Sequence, residues 1–273
     1  DPDGLIALAH QVLSPKARTV LITTTALDPK FPGPIPAERT AEAGRQFAEE
    51  LLRRTGVASI TVIAGPARLD PAAPSAAAQA IVQEALRDDP LPLFLTCGGP
   101  LTNVAAALRL EPAIARRMTV VWIGGGAYPA GGWEYNLAAD PEAARAVIEN
   151  STVPFWQVPQ DVYRQMQYSI AALRASLRPI SPLTRWLYAR FTNPPEFVTL
   201  SGAWPLGDSP LVLLTTITTE SSAYEDRAAQ RILPDLAYGD AIAGRGIRVY
   251  RTVDARLTFD DMLALLHLQR QRR

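Results

Sequence analysis

Aspartates directly precede two apolar segments that lie far apart along this 273-residue chain. The sequence opens with DPDG (residues 1–4), so Asp1 and Asp3 stand before the first segment, and Asp208 stands before the second at 209–217. A carboxylate at a helix start can cap the first turn, because it accepts hydrogen bonds from free N–H groups. Capping needs one carboxylate, so the second acid at the opening helix suggests a binding role. At Asp208 the sequence alone favours capping, with a binding role as the alternative.

A glycine-rich segment carries a carboxylate and an amide for which the sequence gives no structural role. Residues 124–126 are three glycines that follow a predicted strand, but no helix follows them, so the context of a dinucleotide phosphate site is absent. Glu134 and Asn136 lie two positions apart, and on an extended segment they would point the same way toward one polar ligand. Asp140 before Pro141 instead predicts a helix N-cap with proline at the first helical position.

A tight turn is predicted where the segment 93–96 passes into the helix that begins near Thr102. Gly98, Gly99 and Pro100 form this turn. Glycine there lets the backbone come close to a ligand or an ion, and ordinary turn formation is the alternative interpretation.

Strands and helices must position these candidate site residues. The hydrophobic pattern predicts that the two kinds of element alternate along the chain. Strands are predicted at residues 19–25, 59–64, 93–96, 118–123 and 153–158, and helices at 4–13, 38–54, 75–87, from about 102, and at about 141–149. After residue 160 we expect helical segments near 170–192 and 209–217, strands around 230–234 and 246–252, and a final helix over 258–270.

This alternation predicts an α/β fold, in which an open, mostly parallel twisted sheet carries helices on both faces. No repeat or long linker divides the chain, so one domain over residues 1–273 is expected. Ligands of such sheets bind outside the carboxyl ends of the strands, which selects the loops 24–36, 65–74, 97–103, 124–140 and 159–168.

Composition narrows the class of ligand. Lysine plus arginine and aspartate plus glutamate both number 27, so the charge pattern indicates neither nucleic acid nor an acidic membrane as a partner. No run approaches the roughly 18 apolar residues of a membrane-spanning helix. Cys97 is the single cysteine, which excludes a disulfide within the chain. We expect a small-molecule ligand, and the compartment stays open.

Three stretches together resemble the inosine-uridine-preferring nucleoside hydrolase family, and more closely its divergent nucleoside-hydrolase-like branch. They are the opening DPDG, the segment GGPLTNVAAALRLEPAIARRMTVVWIGGGAY…EYN…DPEAA over 98–144, and Asp208. The similarity runs along nearly the whole chain and is most specific over 98–144. The family consists of calcium-dependent enzymes with an open, Rossmann-type α/β fold, which cleave the N-glycosidic bond of nucleosides.

The resemblance implies a set of site residues, divided into metal ligands and sugar contacts. The implied ligands of Ca²⁺ are Asp3, Gly98 through its carbonyl, and Asp208; the implied substrate contacts are Asp1, Asp28, Glu134 and Asn136. Ca²⁺ takes six to eight oxygen ligands, so water and sugar hydroxyls would complete its shell. Bond cleavage would pass through an oxocarbenium-like transition state, as in glycoside hydrolysis.

The chain also departs from the family pattern. The family's first Asp-x-Asp, which includes the general base, and a strand before it are expected upstream of Asp1; the alternative is that the molecule lacks this base. No catalytic residue is therefore assigned within the chain. Many members carry histidine where Gly207 stands here, and His10 and His267 are predicted to be structural or surface residues. Histidine assistance to a leaving base is therefore not expected.

Aromatic residues are the remaining candidates for contacts to a nucleobase. The candidates are core residues by default, and each could instead stack on a base: Trp133, Tyr135, Trp204 and Tyr224. The resemblance further implies a homodimer or homotetramer. Two functions stay open: a nucleoside N-glycosyl hydrolase, and a diverged metal-dependent sugar-binding protein without turnover.

Overall fold

The computed structural model describes residues 2–31, 33–57, 60–70, 72, 74–194 and 198–271. Its strands are β1 (Leu21–Thr24), β2 (Thr61–Ala64), β3 (Leu93–Cys97), β4 (Met118–Ile123), β5 (Phe155–Val158), β6 (Gln167–Ser169), β7 (Ala203–Pro205), β8 (Tyr224–Ile232) and β9 (Tyr238–Tyr250).

The helices alternate with these strands. They are α1 (Pro2–Leu13), α2 (Thr40–Thr55), α3 (Ala76–Leu86), α4 (Thr102–Leu110), α5 (Tyr135–Ala139), α6 (Pro141–Ile148), α7 (Gln160–Tyr163), α8 (Ile170–Ala172), α9 (Pro182–Phe191), α10 (Ser209–Val212) and α11 (Ala255–Gln271). Short 3₁₀ turns at Ala37–Arg39 and Pro112–Arg116 and wider π turns at Leu173–Leu177 and Leu213–Ile217 extend or link them.

The central sheet has five strands in the order β3-β4-β5-β9-β8, and β3, β4, β5 and β9 run parallel. Side chains on β4 alternate between its two faces, as a strand requires. Val120 and Trp122 pack with residues of α3, α4 and α6, whereas Val121 and Ile123 pack with residues of α1, α9 and α11. Helices therefore cover both faces of this sheet, and the predicted α/β fold is confirmed.

The sheet is not continuous over the described residues, contrary to the single sheet that was predicted. β1 pairs only with β2, in parallel, and a cavity lined by residues of both β1 and β3 separates them from the five-stranded sheet. Asn103 of α4 links the two parts, because its Nδ2 donates to the carbonyl oxygen of Thr24 over 3.0 Å.

The late strands were predicted too short and too far along the chain. β8 and β9 form an antiparallel hairpin in which Tyr224 pairs with Tyr250 and Asp226 with Arg248. Residues of β8 alternate between exposed and partly or fully buried positions. Such a polar sequence is as typical of a surface loop as of an edge strand, which explains why the strand start was missed. Arg248 Nε donates to Asp226 Oδ1 over 3.0 Å and joins the two strands.

Two helix boundaries also differ from the prediction. The helix expected over 170–192 is divided, because Ser181 and Pro182 begin α9 with a capping box and a proline at its first position. α1 begins at Pro2, so Asp3 lies inside its first turn instead of capping it. No helix within the described part of the chain has the length and apolarity needed to cross a membrane.

Candidate active site

The predicted site residues line one cavity of about 1860 Å³, which runs along the gap between β1 and β3 and includes the loops at the carboxyl ends of these strands. It is lined by the described members of the predicted set, which are Asp3, Asp28, Gly98, Glu134, Asn136 and Asp208. Asp1 lies outside the described residues, and its predicted contact to the sugar stays a prediction.

Asp3 and Asp208 come together although 205 positions separate them. The backbone N–H of Asp208 donates to Asp3 Oδ2 over 3.3 Å, so the carboxylate of α1 holds the turn that begins α10. Asp208 occupies the N-cap position of α10, but its side chain makes no capping hydrogen bond. Capping therefore does not account for Asp208, whereas the Asp3 carboxylate accepts from backbone N–H groups of both α1 and the turn before α10.

Gly98 follows β3 and brings backbone against the Asp208 carboxylate. A Cβ atom at Gly98 would lie 2.5 Å from Asp208 Oδ2, a distance at which no side chain fits. The adjacent Trp122 indole donates to the Gly99 carbonyl over 2.9 Å and holds this turn in place. The close approach identifies position 98 as more than an ordinary turn residue.

The acid pair is electrostatically unfavourable in the absence of a positive charge. Burial raises the pKa of Asp208 well above its usual range, and the nearby Asp3 carboxylate raises it further. Burial also raises the pKa of Asp3, although backbone N–H groups at Asp3, Asp208 and Gly207 act in the opposite direction. A cation between the two carboxylates would relieve both effects.

The donor set fits a hard divalent cation, because it combines two carboxylates with a close backbone segment. No group of three or more His, Cys, Asp or Glu side chains is arranged to hold a metal ion within residues 2–31, 33–57, 60–70, 72, 74–194 and 198–271. Such a site would therefore depend on Asp3, Asp208, backbone carbonyl oxygen and further oxygen ligands. The predicted Gly98 carbonyl also accepts from Asn136 Nδ2 over 3.3 Å.

Glu134 has a capping role that the sequence did not reveal. Its Oε2 accepts from the N–H of Gly125 over 2.9 Å and from the N–H of Leu137 over 3.0 Å, which caps α5. Burial raises the pKa of Glu134, and these N–H groups together with the Tyr163 hydroxyl lower it. The segment is not extended as predicted, because Asn136 already lies in α5. Glu134 and Asn136 nevertheless line the same cavity.

The side chains of Asn136 and Asp28 each form hydrogen bonds with backbone groups. Asn136 Nδ2 donates to the Ile123 carbonyl over 2.9 Å as well as to Gly98, so Oδ1 is the remaining polar atom of the amide. Asp28 is buried, and its Oδ1 accepts from the N–H of Lys30 over 2.9 Å. Both residues are held by the loops that carry them, and their predicted sugar contacts stay predictions.

Tyr163 is a cavity residue that the sequence analysis did not single out. It ends α7 within the loop 159–168 that the carboxyl-end rule had selected, and its hydroxyl donates to Glu134 Oε1 over 3.1 Å. A lone tyrosine in a loop matches no catalytic motif, so the selected loop was the sole indication of its importance.

Phe31 and the predicted stacking candidate Tyr135 line one side of the cavity, whereas the candidate Trp133 lies outside the cavity lining and contacts Phe31. The rings of Phe31 and Tyr135 lie 5.3 Å apart and those of Phe31 and Trp133 6.1 Å apart, between centroids. Trp204 also lines the cavity, whereas Tyr224 packs against Tyr250 in the β8–β9 hairpin.

The two histidines lie outside the residues that line the cavity. His10 is buried, and its Nε2 lies 2.8 Å from Asp261 Oδ2 of α11. His267 is exposed on the same helix. Asp140 likewise has a structural role, since its Oδ1 accepts from the N–H of Ala143 over 3.0 Å, which confirms the predicted cap of α6.

Sequence comparison relates the chain to known hydrolases. The pyrimidine-specific ribonucleoside hydrolase RihA of Salmonella arizonae is 32% identical over 150 residues, which cover 52% of this chain and 48% of that protein. RihA of Citrobacter koseri is 33% identical over 128 residues, which cover 44% of this chain and 41% of that protein. The matched region thus spans about half the length of these curated relatives.

Structural comparison extends the likeness to the whole fold. An inosine-guanosine nucleoside hydrolase superimposes with a TM-score of 0.74 at 17% identity, over 97% of this chain and 95% of that one. The inosine-uridine preferring nucleoside hydrolase of Bacillus anthracis gives a TM-score of 0.68 at 18% identity, over 98% and 96%. At these identities the comparison establishes a shared fold.

The family assignment rests on sequence along most of the chain. The profile described as inosine-uridine preferring nucleoside hydrolase matches residues 5–241, a range that includes Gly98, Glu134, Asn136 and Asp208. The chain therefore belongs to the inosine-uridine preferring nucleoside hydrolase family.

Proposed function

We propose that this protein is a calcium-dependent hydrolase that cleaves the N-glycosidic bond of a ribonucleoside or a similar ribosylated small molecule. The observation that carries the proposal is the meeting of Asp3 and Asp208, 3.3 Å apart between backbone nitrogen and carboxylate oxygen, beside Glu134 and Asn136. The carboxylates of Asp3 and Asp208 thus line the same cavity as a third carboxylate and an amide.

Ca²⁺ would be held by the carboxylates of Asp3 and Asp208 and by the carbonyl of Gly98. When bound, the ion supplies positive charge that attracts neighbouring sugar hydroxyls and increases the acidity of a nearby water. The protein contributes the buried position of the acid pair, since burial raises the pKa of Asp208 and so makes a compensating cation favourable.

Glu134 and Asn136 would act on the sugar. A fixed carboxylate near the ring favours the positive charge that develops there as the glycosidic bond breaks through an oxocarbenium-like transition state. Glu134 is suited to this role because its Oε2 is held by two backbone N–H groups before any ligand binds. Asn136 Oδ1 and Glu134 Oε1 would accept hydrogen bonds from sugar hydroxyls, and Asp28 would add a further contact.

A second candidate function is a metal-dependent nucleoside- or sugar-binding protein without turnover. It is favoured by one observation: neither histidine lies at the cavity, so no imidazole is placed there to protonate a leaving base. We assign none of the described residues as the general base.

Ribose release from a panel of purine and pyrimidine nucleosides separates the two functions. We expect release by the wild-type protein in Ca²⁺ and its loss in EDTA or in Asp208→Asn. Asp140→Asn is the matched control, because Asp140 is also a buried aspartate at a helix N-cap but lies outside the cavity lining.

Tight ribose binding without release would instead support the binding protein. Equal release by Asp208→Asn and the wild type would contradict the role of the acid pair. The homodimer or homotetramer implied by the resemblance is a separate proposal, which light scattering on the purified protein tests.

A further inference from the structure

We propose that Tyr163 is a positioning residue, which fixes the Glu134 carboxylate relative to the turn that bears Asp208. Its effect on turnover rests on the proposed function, whereas its effect on the geometry of Glu134 does not. Tyr163 lies between the two halves of the candidate site and contacts both of them.

The first contact is to the side that would bind sugar. Glu134 Oε2 is committed to the N–H groups of Gly125 and Leu137, and Oε1 receives the hydroxyl of Tyr163 at 3.1 Å. Capping alone fixes one oxygen of the carboxylate. The tyrosine hydroxyl adds a donor on the other oxygen and so restricts rotation of the group.

The second contact is to the acid pair. A Cβ atom placed on Gly207 would lie 3.2 Å from the Tyr163 ring and 3.5 Å from Asp3 Oδ2, so the ring packs over the backbone just before Asp208. The absence of a side chain at position 207 leaves the space that the ring uses.

Tyr163 is itself held by the segment that leads to Asp208. The N–H of Met166 donates to the Tyr163 carbonyl over 3.1 Å, and the N–H of Leu206 donates to the Met166 carbonyl over 2.9 Å. Met166 and Leu206 are both fully buried. These hydrogen bonds fix the end of α7 relative to the turn before α10. The Tyr163 hydroxyl in turn fixes Glu134 relative to both segments.

The hydroxyl remains a donor at neutral pH. Burial and the neighbouring Glu134 charge both raise the pKa of Tyr163, so its proton is retained. Phenylalanine at this position would keep the ring on Gly207 and remove the hydrogen bond to Glu134. The two contacts can thus be separated by one conservative substitution.

The test compares Tyr163→Phe with the wild-type protein by backbone amide NMR and by steady-state kinetics. We expect the Gly125 and Leu137 amide resonances to shift in Tyr163→Phe, because they report the orientation of Glu134. We also expect kcat for nucleoside hydrolysis to fall roughly 10- to 100-fold, the usual range for a hydrogen bond to a charged group, with a smaller change in KM.

Tyr168→Phe is the matched control. Tyr168 lies on β6 with its ring 4.6 Å from that of Phe259, and the same hydroxyl is removed away from the cavity lining. In Tyr168→Phe, the amide resonances of Gly125 and Leu137 and the value of kcat should equal those of the wild type.

Unshifted Gly125 and Leu137 amides in Tyr163→Phe would overturn the proposal, as would an unchanged kcat in a protein that hydrolyses nucleosides. If the wild type releases no sugar, the proposed function fails, and the amide comparison still decides whether Tyr163 positions Glu134.

Discussion

The two acidic parts of the candidate site bury negative charge in different ways. Glu134 is surrounded by fixed donors, which are the N–H groups of Gly125 and Leu137 and the hydroxyl of Tyr163. Asp208 makes no capping hydrogen bond and instead lies beside Asp3, whose charge raises its pKa further. A carboxylate that is already satisfied by the protein can act on a ligand, whereas an unbalanced pair is suited to hold a cation.

Replacing the charge of Glu134 should greatly reduce turnover while leaving the two carboxylates of the acid pair in place. In Glu134→Gln the amide oxygen can still accept from Gly125 and Leu137, so we expect the fold to persist. We predict that kcat for nucleoside hydrolysis falls roughly 10²- to 10³-fold, because a preorganised charge near the transition state is lost. Because the Glu134 charge also raises the pKa of Asp208, calorimetry should show a Ca²⁺ affinity that falls much less than kcat, and an equal loss would show that Glu134 belongs to the cation site.

Filling the space beside Asp208 should weaken Ca²⁺ binding by the Asp3–Asp208 pair. In Gly98→Ala the new methyl group would displace the Asp208 carboxylate, so we predict Ca²⁺ affinity roughly 10- to 100-fold lower. Overpacking should also reduce the free energy of unfolding by about 1–3 kcal/mol. Gly99→Ala is the control, because nothing lies within 4 Å of a Cβ atom there. Equal affinities in the two variants would show that position 98 has no special role.

The smallest predicted effect is a pH dependence of stability in metal-free protein. The folded pKa of Asp208 is raised, so between the unfolded pKa near 4 and the folded value the native state binds more protons than the unfolded state. Stability contributed by this group is therefore lost as pH rises through that window, by about 1.4 kcal/mol for each pH unit that the window spans.

Denaturant unfolding in EDTA from about pH 4 to 7 checks this sign. The wild type should lose more stability with rising pH than Asp208→Asn, in which the titrating group is absent. With added Ca²⁺ the wild type should instead be the protein that keeps more of its stability as pH rises. The cation stabilises only the protein that retains both carboxylates. Parallel curves for the two proteins in EDTA would contradict the described burial of charge.

Much of the fold follows from hydrophobic patterning. The segment 118–123 is apolar except for Thr119, and such a run predicts a strand buried on both faces. The rule that ligands bind at the carboxyl ends of strands then selected the loops that carry Gly98, Glu134 and Tyr163. The cap at Asp140 was predicted because aspartate followed by proline is typical of a helix start.

Other features depend on contacts that a linear pattern does not record. Glu134 caps a helix of five residues, and glutamate is not among the preferred capping residues. Tyr163 gains its importance from a contact with a residue 29 positions away. The break between β1 and β3 depends on strand pairing, and the polar alternation of β8 predicts a surface segment without fixing its hairpin partner.

The proposed function requires that Asp3 and Asp208 share one divalent cation. Isothermal titration of Ca²⁺ into the wild type, Asp3→Asn, Asp208→Asn and Asp28→Asn tests it most directly, with Asp28 as a buried cavity aspartate outside the pair. We predict one ion per chain in the wild type and in Asp28→Asn, and losses in the other two that exceed the roughly 10- to 100-fold cost of an outer-shell change. Wild-type affinity in both Asp3→Asn and Asp208→Asn would show that the two carboxylates hold no shared ion.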